Sequence, residues 1–410
     1  MMTLALVGGT LIDGNGGTPL QNATVLIDGE KITAAGLAAK TPVPAGACVV
    51  DTGGKSVMPG FVDAHNHICG EVDSGGPPHR KLPVFGAIRG VAAARKLLDM
   101  GFTACRAMGS ANYDNVALKV AIDQGLVPGP RMMTAAYCLR VAGNTREWVP
   151  PEIYMPHPGM FTGPWEVRKA VRLQVMNGAD FIEAQTAGAV GSNAPTPLEV
   201  SEWTLEEMQA AADEAHRYGM RIGGNCYSDT SVEMMLRAGF DAIEHGCLIT
   251  ERGIEALVEK RAFIVPTLCA YYAYVAPDGE KRYPAWRLAK GRLIDAALRK
   301  MFPKYIEAGV KVVGGSDGTG PGSGRRPGEG AKELELMVQY GMTPMQAIVA
   351  NTRMGADVMG LLHQFGTVEP GKLADVIVVD GDPLKDIAIL QQREKIRMVI
   401  KGGEVFRGDL

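Results

Sequence analysis

The sequence predicts an α/β protein: a (β/α)8 TIM barrel with a small β-sandwich domain built from both termini. Three observations carry that prediction. The middle of the chain alternates short apolar runs with helical stretches, both ends alternate β-like runs with glycine turns, and residues able to hold a metal fall at the ends of the apolar runs. The expected division is residues 1–57 and 357–410 for the β-sandwich, and 58–356 for a metal-binding catalytic barrel.

The chain has 410 residues, more than the roughly 100–200 of a single ordinary domain. One large barrel with an appendage, or two to three ordinary domains, would fit. With 46% apolar and 21% charged residues it can bury a large core in water. The net charge is −3 with both signs dispersed, so no basic surface points to nucleic acid. The start, MMTLALVGGTLIDG, lacks a basic segment before a long apolar run and does not read as a signal peptide. No run approaches the ~18 apolar residues of a membrane span. The seven cysteines are odd in number and loosely spaced, which argues against a disulfide framework. The expectation is a cytoplasmic protein with a small-molecule substrate and neither nucleic-acid nor membrane partners.

Residues 3–57 carry LALVGG, TLIDG and ATVLIDGEKITAAG, broken by Gly and Asp-Gly turn signals. Residues 366–410 read the same way, with GTVEPGKLADVIVVDGDPL and then IRMVIKGGEVFRG. Both ends therefore supply strands of one small domain. Between them recur PGFVDAH, GFTACRA, RMMTAAYC, ADFIEAQ, RIGGNCY, DAIEHG, FIVPTLC and VKVVGGSD, each succeeded by a helical stretch. Over 204–218, Thr204 and Glu207 form a capping box, and Leu205, Met208, Ala212 and Ala215 share one apolar face. Thr343-Pro344-Met345-Gln346 starts another helix in the same manner.

Barrel enzymes place their chemistry at the C-terminal ends of the strands. The first strand ends Asp63-Ala64-His65-Asn66-His67, and alternation along a strand puts His65 and His67 on one face. Two converging imidazoles suit Zn²⁺ and similar ions. The sixth strand ends at His245, the eighth at Asp317, and the fourth carries Glu183, a carboxylate that is costly to bury unless paired or metal-bound. The cysteines near strand ends form no Cys-x-x-Cys pair and read as small buried apolar residues.

The ordered motifs PGFVDAHNH, GADFI, EAHRYG, IEHG, GSDG and GTVEPGKLADVIVVDGDPL resemble the amidohydrolase superfamily over nearly the whole chain. The nearest branch contains imidazolonepropionase and the Xaa-Pro and Xaa-Arg dipeptidases. The resemblance implies an α metal held by His65, His67, Glu183 and Asp317, and a β metal held by Glu183, a strand-five group and His245. Two positions depart from it. Glu183 stands where the branch carries a carboxylated lysine, and Asn225, with Tyr227 two residues on, stands where it carries a His-Ala-His-like motif. Asn225 is a weak ligand, so one divalent ion is expected, Zn²⁺ with cobalt, manganese or iron as alternatives. The same two departures resemble the molinate hydrolase and phenylurea hydrolase subgroup.

The resemblance also implies hydrolysis of a C–N bond in an amide, carbamate, urea or cyclic amide by a metal-activated water, and Gly143-Asn144-Thr145, where dipeptidase-like members carry Gly-Gly-His, argues against a typical peptide. Asp317 would carry the proton, and His245, with Asn225 and Tyr227 as further donors, would stabilise the oxyanion. Substrate contacts are expected from Arg140, Asn144 and His157 in the loop 140–165, and from Arg325 after the eighth strand, although Arg325 and Arg326 also read as solvated surface charges. The tyrosine-rich stretch 269–286 reads equally as a lid or as a packed surface excursion. Family members also lead to the expectation of a homo-oligomer. A deaminase of purines, pyrimidines or related heterocycles is the rival enzyme reading, and a non-catalytic hydantoinase-like scaffold is the rival of another class.

Overall fold

Branched apolar residues between glycine turns make strands at both chain ends, and these strands meet across the length of the sequence. A computed structural model describes residues 3–70, 83–143, 159–188, 198–318 and 330–408. The N-terminal strands are β1 (Leu4–Leu11), β2 (Leu20–Asp28), β3 (Lys31–Leu37), β4 (Cys48–Asp51) and β5 (Ser56–Pro59). The middle strands are β6 (Phe61–Asn66), β7 (Phe102–Ala107), β8 (Arg131–Thr134), β9 (Leu139–Val141), β10 (Met160–Phe161), β11 (Ile182–Gln185), β12 (Ile222–Cys226), β13 (Ala242–His245), β14 (Phe263–Val265) and β15 (Lys311–Val312). The chain finishes with β16 (Val376–Val379), β17 (Ile396–Lys401) and β18 (Glu404–Arg407).

The terminal strands form one eight-stranded sheet, in the order β18-β17-β16-β5-β1-β2-β3 with β4 added to β1. The antiparallel pairing of β5 with β16, Met58 opposite Ile377, joins the two chain ends. The sheet wraps over its own apolar face. Edge strand β3 bonds back to the segment before β16, with Ile32 N–H donating to Lys372 O at 2.9 Å and Gly371 N–H to Ile32 O at 2.8 Å. Leu6, Val25, Ile27, Val57, Val376, Val378 and Ile400 fill the enclosed space, a core separate from that of the barrel.

The barrel strands run parallel in two hydrogen-bonded groups, β6-β7-β8 and β10-β9-β11-β12-β13-β14-β15. The third strand is interrupted, because Ala136 takes a left-handed φ of 58° between β8 and β9. Its carbonyl accepts from Ser110 N at 2.9 Å and from Asn115 Nδ2 at 3.1 Å, which holds the kink. The eighth strand keeps regular pairing only over Lys311–Val312. The chain then continues along β6, with Ala64 N–H donating to Gly314 O at 3.0 Å and Asp317 N–H to His65 O at 2.8 Å. Those bonds close the barrel.

The helices begin where the sequence places their caps. Thr204 accepts from Glu207 N at 3.2 Å while Glu207 accepts from Thr204 N at 2.8 Å, opening the helix Leu205–Arg217. Thr343 and Gln346 repeat the exchange for Pro344–Ala350. Among the described residues no helix is long and apolar enough to cross a membrane.

Candidate metal centre

The first and last barrel strands meet at a buried aspartate. Asp63 accepts from Ser316 N at 2.9 Å, Ser316 Oγ at 2.6 Å and Asn66 Nδ2 at 2.7 Å. Burial pushes its carboxyl above the usual range against the pull of these donors. The contact fixes Ser316, and with it Asp317, against the strand that carries the two histidines. Asp317 sits at φ 49° and His245 at φ 70°, left-handed conformations unusual for residues with side chains. Thr267, at the end of the seventh strand, adopts φ 48° as well. Such strain collects where a fold must aim a side chain.

The result is a cluster of donors. His65, His67 and Asp317 offer ligand atoms that all lie within 4.8 Å of one another. Asp317 Oδ1 stands 3.4 Å from His67 Nε2 and 3.7 Å from His65 Nε2. His65 Nε2 is buried and has no hydrogen-bond partner, an expensive condition for a polar atom unless something occupies the space before it. Burial alone would depress the His65 imidazolium, yet the hydrogen bond and charge of Glu244, with Asp317 and Glu183 behind it, raise its pKa. The donor set, two imidazoles and a carboxylate with one buried ring nitrogen left over, fits a divalent ion, which His65, His67 and Asp317 would hold.

Glu183, expected among these ligands, is near but engaged otherwise. Its Oε2 accepts from Gly109 N at 2.5 Å and its Oε1 from Asn225 Nδ2 at 3.2 Å. Asn225 also donates Nδ2 to Gln185 Oε1 at 2.8 Å, while Gln185 gives its own amide nitrogen to Ala187 O at 2.5 Å. Both neighbours of Asn225 Nδ2 are thus acceptors, which fixes which way the amide points. Its Oδ1 is left buried without a hydrogen-bond partner. In that orientation both N–H groups of Asn225 face Glu183 and Gln185, whereas the expectation had them donating to an oxyanion.

His245 lies 5.1 Å from His65, ring centre to ring centre. Its Nδ1 is 2.7 Å from Thr267 Oγ1. Tyr227 stacks parallel to its ring at 5.5 Å, and Tyr271 meets it edge-on at 5.9 Å. Tyr227 is therefore a packing partner of His245. Arg140 stands half-buried on β9, opposite Gln185 of β11. Asn144, His157 and Arg325 lie outside the described residues, as does part of the loop 140–165. All seven cysteines are free, and burial pushes the thiols of Cys226 and Cys247 up, away from the thiolate a metal would need.

Two residues that the sequence pattern did not single out stand beside the cluster. Glu244, fully buried, accepts from His65 Nδ1 at 2.8 Å and pairs through its other oxygen with Arg106 of β7. Burial would raise the Glu244 carboxyl, but the Arg106 charge and the His65 hydrogen bond bring it below the ordinary value. Arg106 in turn donates Nε to Ala64 O at 2.7 Å and stacks over the Phe181 ring at 5.0 Å. The signal was present in the sequence. Glu183 stands out as a lone charge in an apolar strand, and Arg106 in FTACRA and Glu244 in AIEH stand in the same way. Gly223 gives a second clue, since a Cβ there would meet Glu244 Oε1 at 2.7 Å.

The model for the amidohydrolase family matches residues 56–406. The chain belongs to the amidohydrolase family. The ochratoxinase of Aspergillus niger is 30% identical over an alignment covering 98% of this chain and 86% of the relative. The crystal structure of a Xaa-Pro dipeptidase with methionine bound in its active site is 28% identical, with a TM-score of 0.90, covering 99% of this chain and 100% of that one. Molinate hydrolase, 24% identical at a TM-score of 0.79 over 99% of this chain and 94% of that one, shows the same fold. A barrel with a terminal β domain is thus the family's architecture, and membership supports metal-dependent hydrolysis of a C–N bond in a small-molecule substrate.

Proposed function

We propose that this amidohydrolase cleaves a C–N bond of an amide, carbamate, urea or cyclic amide with a single divalent ion, Zn²⁺ being the expected one. His65, His67 and Asp317 would hold it, with Glu183 at the margin. The observation that carries the reading is the pairing of two features: a compact His65–His67–Asp317 cluster with an orphaned His65 Nε2, and an Asn225–Glu183 hydrogen bond where a second ion would need ligands. A hydrogen-bonded amide is a poor substitute for an imidazole lone pair. The likeness to an ochratoxinase and to a Xaa-Pro dipeptidase supports an amide-type bond as the first class to assay.

When bound, a divalent ion there would supply Lewis acidity and lower the pKa of a water from 15.7 to about 7. The protein's own residues do the rest. Asp317 would accept the proton of the attacking water and return it to the leaving nitrogen, a role supported by its carboxylate lying beside His65 and His67. Thr267 can donate its hydroxyl hydrogen to His245 Nδ1, which puts the His245 proton on Nε2, where it can bond a developing oxyanion. Asn225 Oδ1 can accept a substrate N–H, and the stacked Tyr227 keeps the His245 ring from turning.

Metal analysis of the purified protein, with activity over N-acyl amino acids, carbamates and ureas, tests the reading. About one transition-metal ion per chain is expected, with turnover lost in Asp317→Asn. Two ions per chain, or none, would overturn it.

A further inference from the structure

Three charged or titratable residues from three different strands lie in line inside the barrel: Arg106 on β7, Glu244 on β13 and His65 on β6. Their exposures are 2%, 0% and 1%, so none of them can contact a substrate in bulk solvent. A buried ion pair is a doubtful source of stability, since desolvation offsets most of the attraction. An apolar pair of equal volume would fill the barrel as well. The site chemistry described above does not use Arg106 or Glu244, and their presence inside a packed core calls for another reason.

We infer that Arg106 and Glu244 are positioning residues for His65, holding its proton on Nδ1 so that Nε2 presents a lone pair. The geometry supplies the logic. Each oxygen of Glu244 has its own partner, His65 Nδ1 on Oε2 and the Arg106 guanidinium on Oε1. Arg106 has only donors, so it keeps the carboxylate turned one way, and Ala64 O fixes Arg106 from the other side at 2.7 Å. With Oε2 accepting at Nδ1, the ring must carry its hydrogen there. The orphaned Nε2, 3.7 Å from Asp317 Oδ1, is then the unprotonated nitrogen. A wrong tautomer would put a hydrogen where a metal ligand needs a lone pair. Gly223 belongs to the same device, because only a residue without Cβ leaves room for Glu244 Oε1.

This inference rests on the proposed metal role of His65, and the test separates the two. In Glu244→Gln, Arg106 still demands an oxygen, so the new amide must turn its NH2 towards His65 Nδ1. The imidazole then has to accept there and move its hydrogen to Nε2. Zinc affinity, measured by competition with a chromophoric chelator, should fall about 10–100-fold. Adding Arg106→Met to Glu244→Gln removes the demand, lets the amide flip, and should restore most of the lost affinity. A packing role would make the double variant worse than the single one. If the zinc affinity of Glu244→Gln equals that of the parent, or the double variant recovers none of it, the inference fails.

A readout on the metal-free parent protects against variants that do not fold. With ¹⁵N-labelled histidine at alkaline pH, the His65 signal, assigned by its loss in His65→Ala, should show the Nδ1–H form. An Nε2–H signal there overturns the inference. An Nδ1–H signal in a protein that takes up no zinc would overturn the metal reading and leave the tautomer assignment standing.

Discussion

Asn225 turns its amide nitrogen to the Glu183 carboxylate 3.2 Å away and so presents only a carbonyl oxygen to the barrel mouth. On the proposed one-ion reading, that hydrogen bond stands where a second metal would draw on Glu183 and on a strand-five nitrogen. Asn225→His should break it. Zinc content, measured by mass spectrometry after dialysis, is expected to rise from one towards two ions per chain. An unchanged content would show that the strand-five residue does not limit the stoichiometry.

His245 is expected to act on the oxyanion more than on the metal, since Thr267 fixes its Nδ1 and Tyr227 its plane. Loss of one such donor costs about 10²–10³ in turnover. His245→Ala should lose that much in kcat while keeping its zinc. Full loss of the metal would make His245 a required ligand instead.

Asp63 is the tie between the strands that carry His65 and Asp317. Asp63→Ala strands the Ser316 N–H and the Ser316 hydroxyl hydrogen in the core and takes from the Asn66 amide the nearer of its two acceptors. A buried donor left unsatisfied costs about 1–3 kcal/mol. The urea midpoint of this variant should fall well below that of the parent, and zinc affinity should fall with it. A stable Asp63→Ala protein with normal zinc binding would refute the tie.

Glu333 gives the protein a pH dependence away from the ligands. Its carboxylate accepts from Leu268 N at 2.8 Å and Cys269 N at 2.7 Å, capping the helix Leu268–Val275 that begins just after Thr267. Burial outweighs those donors and lifts the carboxyl from 4.5 to about 8. The folded protein therefore binds a proton that the unfolded chain has already released. The stability Glu333 contributes is complete below about pH 4.5 and is lost as pH rises towards about 8. In Glu333→Gln the fall in melting temperature over that range should be shallower than in the parent. An equal slope in both would place the titration elsewhere.

Much of this was legible in the residues themselves. The capping boxes at Thr204 and Thr343 and the apolar runs of the barrel are local signals, and local signals survive folding. His65, His67 and Asp317 could be grouped because strand ends converge in a barrel. The kink at Ala136 and the short β15 could not be read, since each depends on hydrogen bonds from distant segments. Nor could the orientation of Asn225, which is decided by Gln185, itself turned by Ala187 O. Arg106 and Glu244 were visible as charges in apolar strands, but their pairing spans 138 positions of sequence and no periodicity announces it.

The bonds that close the barrel run between the same two segments that carry His65 and Asp317. Closing the cylinder and assembling the ligand cluster are thus one event. An ion held by both segments would act as a clasp on the seam, stabilising the folded chain by its own binding free energy. Chelation should then do more than silence the enzyme: it should loosen the barrel along the line between its first strand and its last.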